Sequence, residues 1–519
     1  MKKINLDKLL LSFLLLVLAF ACTQTPEYPK FNEETEALRD TAMAPFYHGV
    51  ASGDPLYNQV IIWTRISPQD SLPSIEVTWE ISENQDFSQI VNKGSTSTNS
   101  LRDYTVKIDV DDLEAGTSYF YRFHALGKTS MIGKTKTASR NAADLALGVV
   151  SCSNYEWGFF NSYGALANEE LDAVVHLGDY IYEYGPGGYG DTTLNRKHLP
   201  AREVITLQDY RTRYSQYRLD KDLIAAHANH PFINIWDDHE ISNDSYKDGA
   251  QNHQDDEGSY EQRKMAARQV YYEWIPIREE EKHYRKFQFG ELVDLIMLDE
   301  RLEGRTVQAD SLGDPSLQDS SRTMLGNEQR DWLITQLEDS EAQWKVIGNQ
   351  VIFSYLNWGR PDWNINLDSW DGYPIERQLI VDAINAESIE NIVFITGDTH
   401  TAWAFEATHN PFTEYNTTTA EGAFAVEFGT TSINSANSNE RFTTDEVLEH
   451  EKRIANSPIN PHLKYVNMRD HGYMILTLTK DRSKAEWKFM KTITEPSLET
   501  KETNEVWVNS GEVKLQDLK

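Results

Sequence analysis

Cysteine is scarce in this chain. Only two, Cys22 and Cys152, occur among its 519 residues. Because Cys22 directly follows a predicted export signal, a single thiol is left in the exported body, and no internal disulfide can form there. A disulfide-stabilised scaffold is therefore excluded. Cys152 must be a free thiol, a buried small side chain or a metal ligand.

Basic residues are also few. Lys and Arg number 49 against 81 Asp and Glu, which gives a formal net charge of -32. A field of this sign repels nucleic acid and anionic membrane surfaces at long range, so we expect no specific nucleic-acid binding. The same field repels a phosphate ester unless bound cations reverse the local potential. Binding of such a substrate would thus depend on multivalent metal ions.

Long hydrophobic runs are absent except at the N-terminus. The start, Met1-Lys2-Lys3, is followed by an apolar run from Leu9 to Ala21, which is too short to span a bilayer comfortably but has the form of an export signal. The run ends directly at Cys22, and the residues before this cysteine resemble a bacterial lipoprotein cleavage site. We therefore predict that residues 1–22 are a lipoprotein signal, and that lipid on Cys22 anchors the exported protein to a bacterial membrane, in the periplasm or at the cell surface. Ordinary signal-peptidase cleavage near Ala21 is the alternative.

Two further segments precede the largest part of the chain. Residues 23–45 are polar with little periodicity and are predicted to form a flexible tether. Residues 46–138 carry short alternating runs, such as Ile75–Ile81 and Tyr119–Phe123, separated by turn residues, which predicts a small all-β sandwich. Within this sandwich, residues 113–121 resemble the penultimate strand region of fibronectin type III domains, where an aromatic side chain closes a corner. A fibronectin-III-like sandwich is expected here.

Residues 139–519 follow a different pattern. Apolar strands alternate with stretches of helical spacing, which predicts an α/β domain of mixed β-sheets flanked by helices. The predicted strands are Leu145–Val150, Leu171–Leu177, Phe232–Trp236, Leu292–Leu298, Trp344–Gly348 and Ile392–Thr396, and the predicted helices are Ser259–Glu273, Glu328–Leu337 and Ile375–Ala386. Later runs, Ala423–Phe428, Gly472–Thr479 and Lys484–Met490, are predicted to complete a second sheet. The glycine-rich stretch 186–190 lacks the lysine of a P-loop, which favours an active-site loop over a phosphate cradle.

Two of the predicted strands end in Gly-Asp. Asp179 follows the apolar run Ala173–Val175, and Asp398 follows Ile392–Ile395. In open α/β sheets, ligands bind at the ends of strands, where carboxylates, tyrosine and histidine are metal ligands rather than core residues. Binuclear phosphoesterases hold two metals roughly 3.5–4 Å apart with a shared carboxylate. The pattern therefore predicts a metal-dependent phosphate-ester hydrolase with Asp179 as the bridging ligand.

Two residues near Asp179 indicate the kind of metal. Tyr182 lies three residues later and can reach the same ion. A phenol with an ordinary pKa of about 10 binds a metal at neutral pH only if a strongly acidic ion displaces its proton, which favours Fe³⁺. Cys152 directly follows a strand and is predicted to be a thiolate ligand beside Tyr182. The alternatives are an ordinary loop tyrosine and a buried, inert thiol.

A third strand end carries a cluster of polar residues. Asp238 and Asn243 are predicted to be oxygen ligands of a second, harder ion, and Asp237 is a substitute for either. His239 is predicted to stabilise the transition state or to protonate the leaving alkoxide. A neutral imidazole bonded to a neighbouring aspartate is the alternative for His239. His400, just after the second Gly-Asp, is predicted to be a metal ligand.

Taken together, these motifs resemble the PhoD-like alkaline phosphatases. The resemblance rests on Phe46–Pro55, Ile62–Arg65, Ser151-Cys152, His176–Glu183, Trp236–Glu240 and Gly397–His400, and spans nearly all of the chain from Phe46 to about Thr479. It implies a four-layer metallophosphatase-like sandwich behind the N-terminal β-sandwich. It also implies hydrolysis of phosphate monoesters and diesters outside the cytoplasm with Fe³⁺ and Ca²⁺.

The resemblance implies specific metal ligands. The family's iron ligands fall on Cys152, Asp179, Tyr182 and His400, and its principal calcium ligands fall on Asp179, Asp238 or Asn243, and Asp398. Two departures from ordinary metallophosphoesterases are expected within the PhoD-like group: Ser151-Cys152 replaces an Asp-x-His, and Gln350 stands where a histidine ligand is common. In the stretch Leu298–Arg301, Glu300 replaces a threonine of the family, and no role is assigned to it.

Two other functions remain open from the sequence. A purple-acid-phosphatase-like enzyme also pairs a β-sandwich with a Gly-Asp-x-x-Tyr site, although it needs more histidine ligands than these segments offer. A non-catalytic surface lipoprotein that binds a glycan or an organic phosphate is the second alternative. For the enzyme, small-molecule phosphate esters are the expected substrates. Neither a preference between monoesters and diesters nor an oligomeric state can be deduced from the sequence.

Overall fold

The computed structural model describes residues 30–31, 33–360, 364–501 and 503–516. The predicted signal segment and its lipid site at Cys22 lie outside these ranges. Within them, none of the helices has both the length and the apolar character that crossing a bilayer requires.

The strands and helices follow in chain order. The strands are β1 Val50–Gly53, β2 Val60–Arg65, β3 Ile75–Ser82, β4 Ile90–Thr98, β5 Thr105–Val110, β6 Ser118–Ala125, β7 Lys128–Thr129, β8 Gly133–Lys136, β9 Asp144–Val150, β10 Ala173–His176, β11 Pro231–Asn234, β12 Arg285–Phe289, β13 Val293–Met297, β14 Trp344–Asn349, β15 Ile392–Thr396, β16 Ala402–Thr408, β17 Ala423–Gly429, β18 Leu463–Asn467, β19 Gly472–Thr479, β20 Arg482–Phe489 and β21 Asn504–Asn509. The α-helices are α1 Asn161–Leu166, α2 Leu207–Arg218, α3 Lys221–Asn229, α4 Tyr260–Trp274, α5 Gly326–Glu338, α6 Pro374–Ala386 and α7 Thr444–Ile454. Short 3-10 helices lie at Glu36–Leu38, Thr41–Met43, Ser100–Arg102, Thr192–Leu194, Asp255–Glu257, Pro315–Gln318, Trp370–Gly372 and Ser438–Glu440.

Two mixed sheets form the body of the molecule. The first has nine strands in the order β21-β20-β19-β9-β10-β11-β1-β2-β5, and the second has seven in the order β12-β13-β14-β15-β17-β16-β18. Each sheet has a central parallel run, β9-β10-β11-β1 in the first and β13-β14-β15-β17 in the second, with antiparallel strands on both sides. Residues that follow parallel strands meet at one edge of a sheet, which is where ligands bind in such folds.

The two sheets face each other across a shared apolar core, and helices cover their outer faces. Along β9, Leu147 and Val149 belong to the core between the sheets, whereas Val150 belongs to the helix-covered face. Helices α1 to α4 bury apolar side chains against the first sheet, and α5 and α6 against the second. Burying each large aliphatic side chain contributes about 1.5–3 kcal/mol. The predicted α/β layers of mixed sheets and helices are confirmed.

The N-terminal β-sandwich is present, but one of its sheets is shared. Its two sheets pack around side chains that include Trp79, Tyr121 and Phe123. One sheet has the order β4-β3-β6-β7, with β8 also paired to β6. The other consists of β1, β2 and β5, which continue the nine-stranded sheet through the parallel pairing of β1 with β11. The two halves of the chain are therefore joined by one continuous sheet.

An aromatic corner stabilises this sandwich, at the segment that resembles fibronectin type III domains. The hydroxyl of Tyr119 accepts a hydrogen bond from the backbone N–H of Glu114 at 2.9 Å. In immunoglobulin-like sandwiches a tyrosine in this position bonds back to the backbone a few residues upstream and fixes the turn before its strand.

Two expectations of the sequence analysis need correction. The described part of the predicted 23–45 tether packs on the body: Glu33 pairs with Arg65 at 2.6 Å, and Thr35 Oγ1 lies 2.9 Å from Ser215 Oγ. These contacts join residues far apart in sequence, and a polar segment without periodicity gives no sign of them. In addition, the three later strands predicted to complete the second sheet do not all join it. β17 lies in the second sheet, whereas β19 and β20 lie beside β9 in the first. Alternating burial predicts a strand but not its neighbour in a sheet.

Candidate metal centre

The ends of β9, β10, β11 and β15 bring the predicted ligand segments to one place. Ligand atoms of Cys152, Asp179 and His400 lie within 4.8 Å of one another, and those of Asp179, Asp238 and His239 form a second group within the same limit. All of these side chains are buried except His400, which is half-buried. Asp179 belongs to both groups, which is the position required of a carboxylate shared by two cations.

Tyr182 completes the first group. Its hydroxyl donates to Asp179 Oδ2 at 2.9 Å and lies 3.1 Å from His400 Nε2. Ser435 Oγ donates to the same hydroxyl at 2.8 Å. A thiol, a carboxylate, a phenol and an imidazole thus converge on one small volume.

Asp398 and Asn243 are placed differently from each other. The Asp398 carboxylate lies 3.6 Å from Arg301 Nη2, and the same nitrogen lies 3.9 Å from Asp238 Oδ1. One guanidinium therefore borders both acids. The side-chain amide of Asn243 donates to Gln251 at 3.1 Å. The structure brings Asp398 next to the second group and gives Asn243 a partner outside it.

The backbone of the ligand loops adopts an uncommon conformation. Cys152, Asp179, Asp398 and His400 have φ values of 60, 56, 60 and 61 degrees. Residues other than glycine seldom adopt this left-handed region, and it costs of order 1–3 kcal/mol for each residue. Such conformations persist where the surrounding structure holds them, and they cluster at functional sites. These four residues are predicted metal ligands, and they are four of the sixteen non-glycine residues with positive φ in the described part of the chain.

Gly178 allows two of these loops to approach each other. Its φ is +102 degrees, and a Cβ atom at this position would stand 2.3 Å from the backbone nitrogen of Asp237. No side chain fits there, because the obstacle is backbone. The glycine of the first Gly-Asp thus sets the distance between the loops that follow β10 and β11.

Glu240 ties the same two loops together. Its carboxylate accepts hydrogen bonds from the backbone N–H groups of Asp179 at 3.0 Å, Tyr180 at 2.6 Å and Asp237 at 2.9 Å. The sequence analysis quoted Glu240 within a motif but missed this role. The available signal was an acidic residue beside predicted ligands at the end of a buried strand.

His239 is held by a buried glutamate. Its Nδ1 lies 2.7 Å from Glu183 Oε2, and Asn252 donates to the other carboxylate oxygen at 2.8 Å. Burial disfavours a charged His239, but the charges of Asp238, Glu183 and Asp179 outweigh burial and raise the pKa of the imidazole well above its usual range. Burial likewise favours a neutral Glu183, but His239 lowers the pKa of this carboxyl. Both pKa shifts favour the pairing of an imidazolium with a carboxylate.

The protein alone does not ionise the thiol and the phenol of the first group. Burial, reinforced by Asp179, raises the pKa of Cys152 and of Tyr182 well above their usual ranges. Among the residues that the structure describes, the buried Oδ1 of Asp179 has no hydrogen-bond partner. A multivalent cation would reverse both effects, because it stabilises deprotonated sulfur and oxygen and provides a partner for the free carboxylate oxygen. The donor set fits a strongly acidic metal ion.

Arg301 is the principal residue that the sequence analysis missed. Its side chain is fully buried, pairs with Asp237, and reaches Asp368 at 2.8 Å. Its positive charge offsets part of the repulsion among the aspartates. Arg301 ends the Leu298–Arg301 stretch after β13, which the resemblance pointed to without a role.

The loop after β10 folds over the centre. The ring of Tyr189 stacks against His400 with centroids 6.4 Å apart and an interplanar angle of 25 degrees, and its hydroxyl lies 3.3 Å from His400 Nδ1. The backbone N–H of Gly187 donates to the Glu156 carboxylate at 2.8 Å. Because this amide is used within the protein, the glycine-rich loop is a cover for the site rather than a phosphate cradle.

Two other residues of the motifs have structural partners. His176 is fully buried, with its Nε2 2.7 Å from the hydroxyl of Tyr163. Gln350 donates to the carbonyl of Leu298 at 2.7 Å and accepts from the backbone N–H of Glu300 at 2.9 Å. Gln350 therefore links the loops after β13 and β14. It stands where other metallophosphoesterases often have a histidine ligand, but its amide bonds the backbone.

Comparisons with known proteins show which chains this protein is similar to. A family model described as PhoD-like phosphatase matches residues 147–487, and one described as PhoD-like phosphatase, N-terminal domain, matches residues 33–139. Alkaline phosphatase D of Bacillus subtilis (strain 168) is 37% identical over 487 residues, a match that covers 89% of this chain and 80% of that protein. A solved structure described as "Structure of PhoD" is similar with a TM-score of 0.82 and 33% identity, and 92% of each chain is covered.

Proposed function

The chain belongs to the PhoD-like phosphatase family and is a phosphoric ester hydrolase, and from this premise we propose that it is an exported, lipid-anchored enzyme that uses Fe³⁺ and Ca²⁺ to hydrolyse small phosphate monoesters, diesters or both. Family membership decides against the purple-acid-phosphatase-like and the non-catalytic alternatives. The metal proposal rests mainly on Asp179. This residue belongs to both ligand groups, and one of its buried carboxylate oxygens has no hydrogen-bond partner among the described residues.

We assign Fe³⁺ to the first ligand group. Cys152, Asp179, Tyr182 and His400 would supply sulfur, oxygen and nitrogen donors. Thiolate and imidazole ligands suit iron better than calcium, and a buried phenol needs a strongly acidic ion to lose its proton. The contacts of Tyr182 with Asp179 and His400 support this assignment.

We assign Ca²⁺ to the second ligand group. Asp179, Asp238 and Asp398 offer carboxylate oxygens, which are the ligands that calcium prefers. Asn243 is the remaining candidate, and it would exchange its hydrogen bond with Gln251 for the ion. Arg301 borders Asp238 and Asp398 and would compete with the ion for these carboxylates.

The residues of the chain have distinct roles in the proposed reaction. The bound ions would stabilise the negative charge that develops on the phosphoryl oxygens. Since Nδ1 of His239 is engaged by Glu183, the proton on Nε2 is the one available to the leaving alkoxide. Tyr189 and its loop cover His400 and exclude water from that side of the centre.

The metal assignment is tested at Asp179. The Asp179→Asn variant is expected to lose both metals and to lose at least about 100-fold in kcat on p-nitrophenyl phosphate. Asp481→Asn, an exposed change in the turn between β19 and β20, is the control and should match the wild type. Elemental analysis and circular dichroism of each purified protein complete the test. Full activity of Asp179→Asn would refute the assignment, as would a wild type that is active without bound metal.

The location is tested at Cys22. A Cys22→Ser variant is expected to leave the membrane fraction, whereas the wild type should leave it only in detergent. Enzymatic activity per mole should be the same for both, because Cys22 is not one of the residues assigned to the candidate centre. A wild type that is recovered in the soluble fraction without detergent would contradict the lipid anchor.

A further inference from the structure

Three arginines form a cluster on the surface, which we call the arginine patch: Arg360, Arg441 and Arg453. Arg441 and Arg453 are exposed. The guanidinium of Arg360 stacks on Phe442, with its Cζ 5.1 Å from the ring centroid. Arg453, on α7, donates to the backbone carbonyl of Gly359 at 3.1 Å. The patch thus joins α7 to the chain at Gly359 and Arg360 and to the segment that carries Phe442.

The patch adjoins the metal centre through the segment that follows β17. The carbonyl of Ala436 accepts a hydrogen bond from His400 Nδ1 at 2.7 Å, and Ser438 Oγ accepts one from Arg360 at 3.4 Å. Arg441 continues the same segment. This segment therefore leads from the carbonyl that holds His400 to the guanidinium of Arg441 within five residues.

The positive charges of the patch are not neutralised. Among the residues that the structure describes, no ion pair joins any of the three guanidinium groups to a carboxylate, and the acid of the segment, Glu440, is engaged by His471 at 3.1 Å. Burial and the charges of Arg441 and Arg453 lower the pKa of Arg360. In a chain with a net charge of -32, Arg360 thus stands close enough to two other arginines to be repelled by both. An anion would relieve this repulsion.

We propose that the arginine patch binds a second anionic group of the substrate, a phosphate or carboxylate that lies beyond the phosphorus being hydrolysed. This inference rests on the proposed function and adds a substrate class to it: phosphate esters with at least two anionic groups. Guanidinium groups match phosphate and carboxylate in charge and in geometry. The ring of Phe442, 44% exposed, offers an apolar surface to the part of the substrate near the second anion.

The net charge of the protein makes such a patch necessary for these substrates. A field of net charge -32 repels a polyanion more strongly than a singly charged ester. The catalytic ions attract only the phosphate that reaches them. A cationic surface beside the centre supplies the attraction for the second group, and its effect should weaken as salt screens it.

The test compares two diesters that differ by one phosphate. They are the p-nitrophenyl ester of thymidine monophosphate with its remaining sugar hydroxyl free, and the same compound with that hydroxyl phosphorylated. Release of p-nitrophenol measures kcat/KM for each. The wild type is expected to favour the phosphorylated compound about tenfold, the effect of one charge-assisted hydrogen bond, and this ratio should fall at high salt.

Variants locate the effect. The double variant Arg360→Gln and Arg441→Gln is expected to bring the ratio close to one, whereas Arg441→Lys should keep part of it. Arg482→Gln is the control, because it removes a positive charge far from the metal centre. Arg482 lies at the turn after Thr479, which pairs with Asp144 at the start of β9, whereas the predicted ligands follow the other end of this strand. This variant should keep the full ratio. Equal metal content and circular dichroism of the double variant and the wild type show that the fold is intact.

The outcomes separate this inference from the proposed function. Equal kcat/KM of the wild type for the two diesters, or an unchanged ratio in the double variant, would overturn the role of the patch while hydrolysis itself persists. If the metal-loaded wild type hydrolyses neither diester and no p-nitrophenyl phosphate, the proposed function fails and the inference fails with it.

Discussion

The pair formed by Glu183 and His239 leads to a quantitative prediction. Both side chains are buried, and His239 Nδ1 lies 2.7 Å from Glu183 Oε2. Glu183→Gln keeps the shape of the side chain but removes its charge. A hydrogen bond to a charged partner contributes about 1.5–3 kcal/mol, and a neutral one about 0.5–1.5 kcal/mol. The midpoints of these two ranges differ by about 1.3 kcal/mol, which corresponds to a fall of about one unit in the pKa of His239.

The sign of the effect follows from the direction of the pKa shift. The folded protein raises the pKa of His239 above its unfolded value. Protonation of His239 therefore stabilises the fold fully below the unfolded pKa, and this contribution is lost as pH rises through the folded pKa. Glu183→Gln lowers the folded pKa, so the variant should be less stable at neutral pH, with a deficit that narrows at alkaline pH. If protonated His239 is the acid catalyst, the alkaline limb of kcat should move by the same amount to lower pH.

The assay is kcat on p-nitrophenyl phosphate between about pH 6 and 11 for metal-loaded proteins. Asn252→Ser is the matched control, because it removes another hydrogen bond to Glu183 without changing the charge beside His239. Its alkaline limb should coincide with that of the wild type. An alkaline limb of Glu183→Gln at the wild-type position would refute the role of His239 as an acid held charged by Glu183.

Three further predictions concern other parts of the molecule. Tyr182→Phe removes the phenol oxygen from the first ligand group, so the iron-loaded variant should lack the visible absorption band of a metal-bound tyrosinate. A band identical to that of the wild type would show that Tyr182 is not a metal ligand. Arg301→Met leaves Asp237 without its cation, whereas Asp368 keeps Arg305, and should lower the free energy of unfolding in urea by about 3–5 kcal/mol, part of which added Ca²⁺ restores. Unchanged stability would contradict the role of the arginine. Tyr119→Phe removes the hydrogen bond between Glu114 and Tyr119 in the N-terminal sandwich and should lower the free energy of unfolding in urea by about 1 kcal/mol, with kcat unchanged. A loss of activity would show that this sandwich influences the distant site.

Much of the fold was predictable because its signals are local. The strands β9, β10, β13, β14 and β15 are apolar runs of ordinary strand length, and the structure places each within a few residues of its predicted limits. Helices α4, α5 and α6 were predicted equally well from their spacing. In contrast, the position of a strand within a sheet depends on long-range packing. The assignment of β19 and β20 to the wrong sheet is an error of this kind.

The candidate site shows the same division. Cys152, Asp179 and His400 were identified because each follows a strand end, where the parallel arrangement brings such residues together. Glu240 was missed as a positioning residue because its role is to accept backbone N–H groups from two loops, a contact without a sequence pattern. Arg301 was missed because a basic residue carries no metal-ligand signal, although it organises the acids around it.

The amino-acid sequence by itself determined which side chains are available for chemistry, which strands carry them to an edge, and that the chain carries a strong negative charge. These properties depend on residue type, short-range periodicity and net charge, which do not require the fold to be known. Only the tertiary structure decided that Asp179 stands in both ligand groups, that Glu183 keeps His239 charged, and that the N-terminal strands extend the catalytic sheet. Each of these depends on the distance between residues far apart along the chain, and that distance exists only after the sheets have packed together.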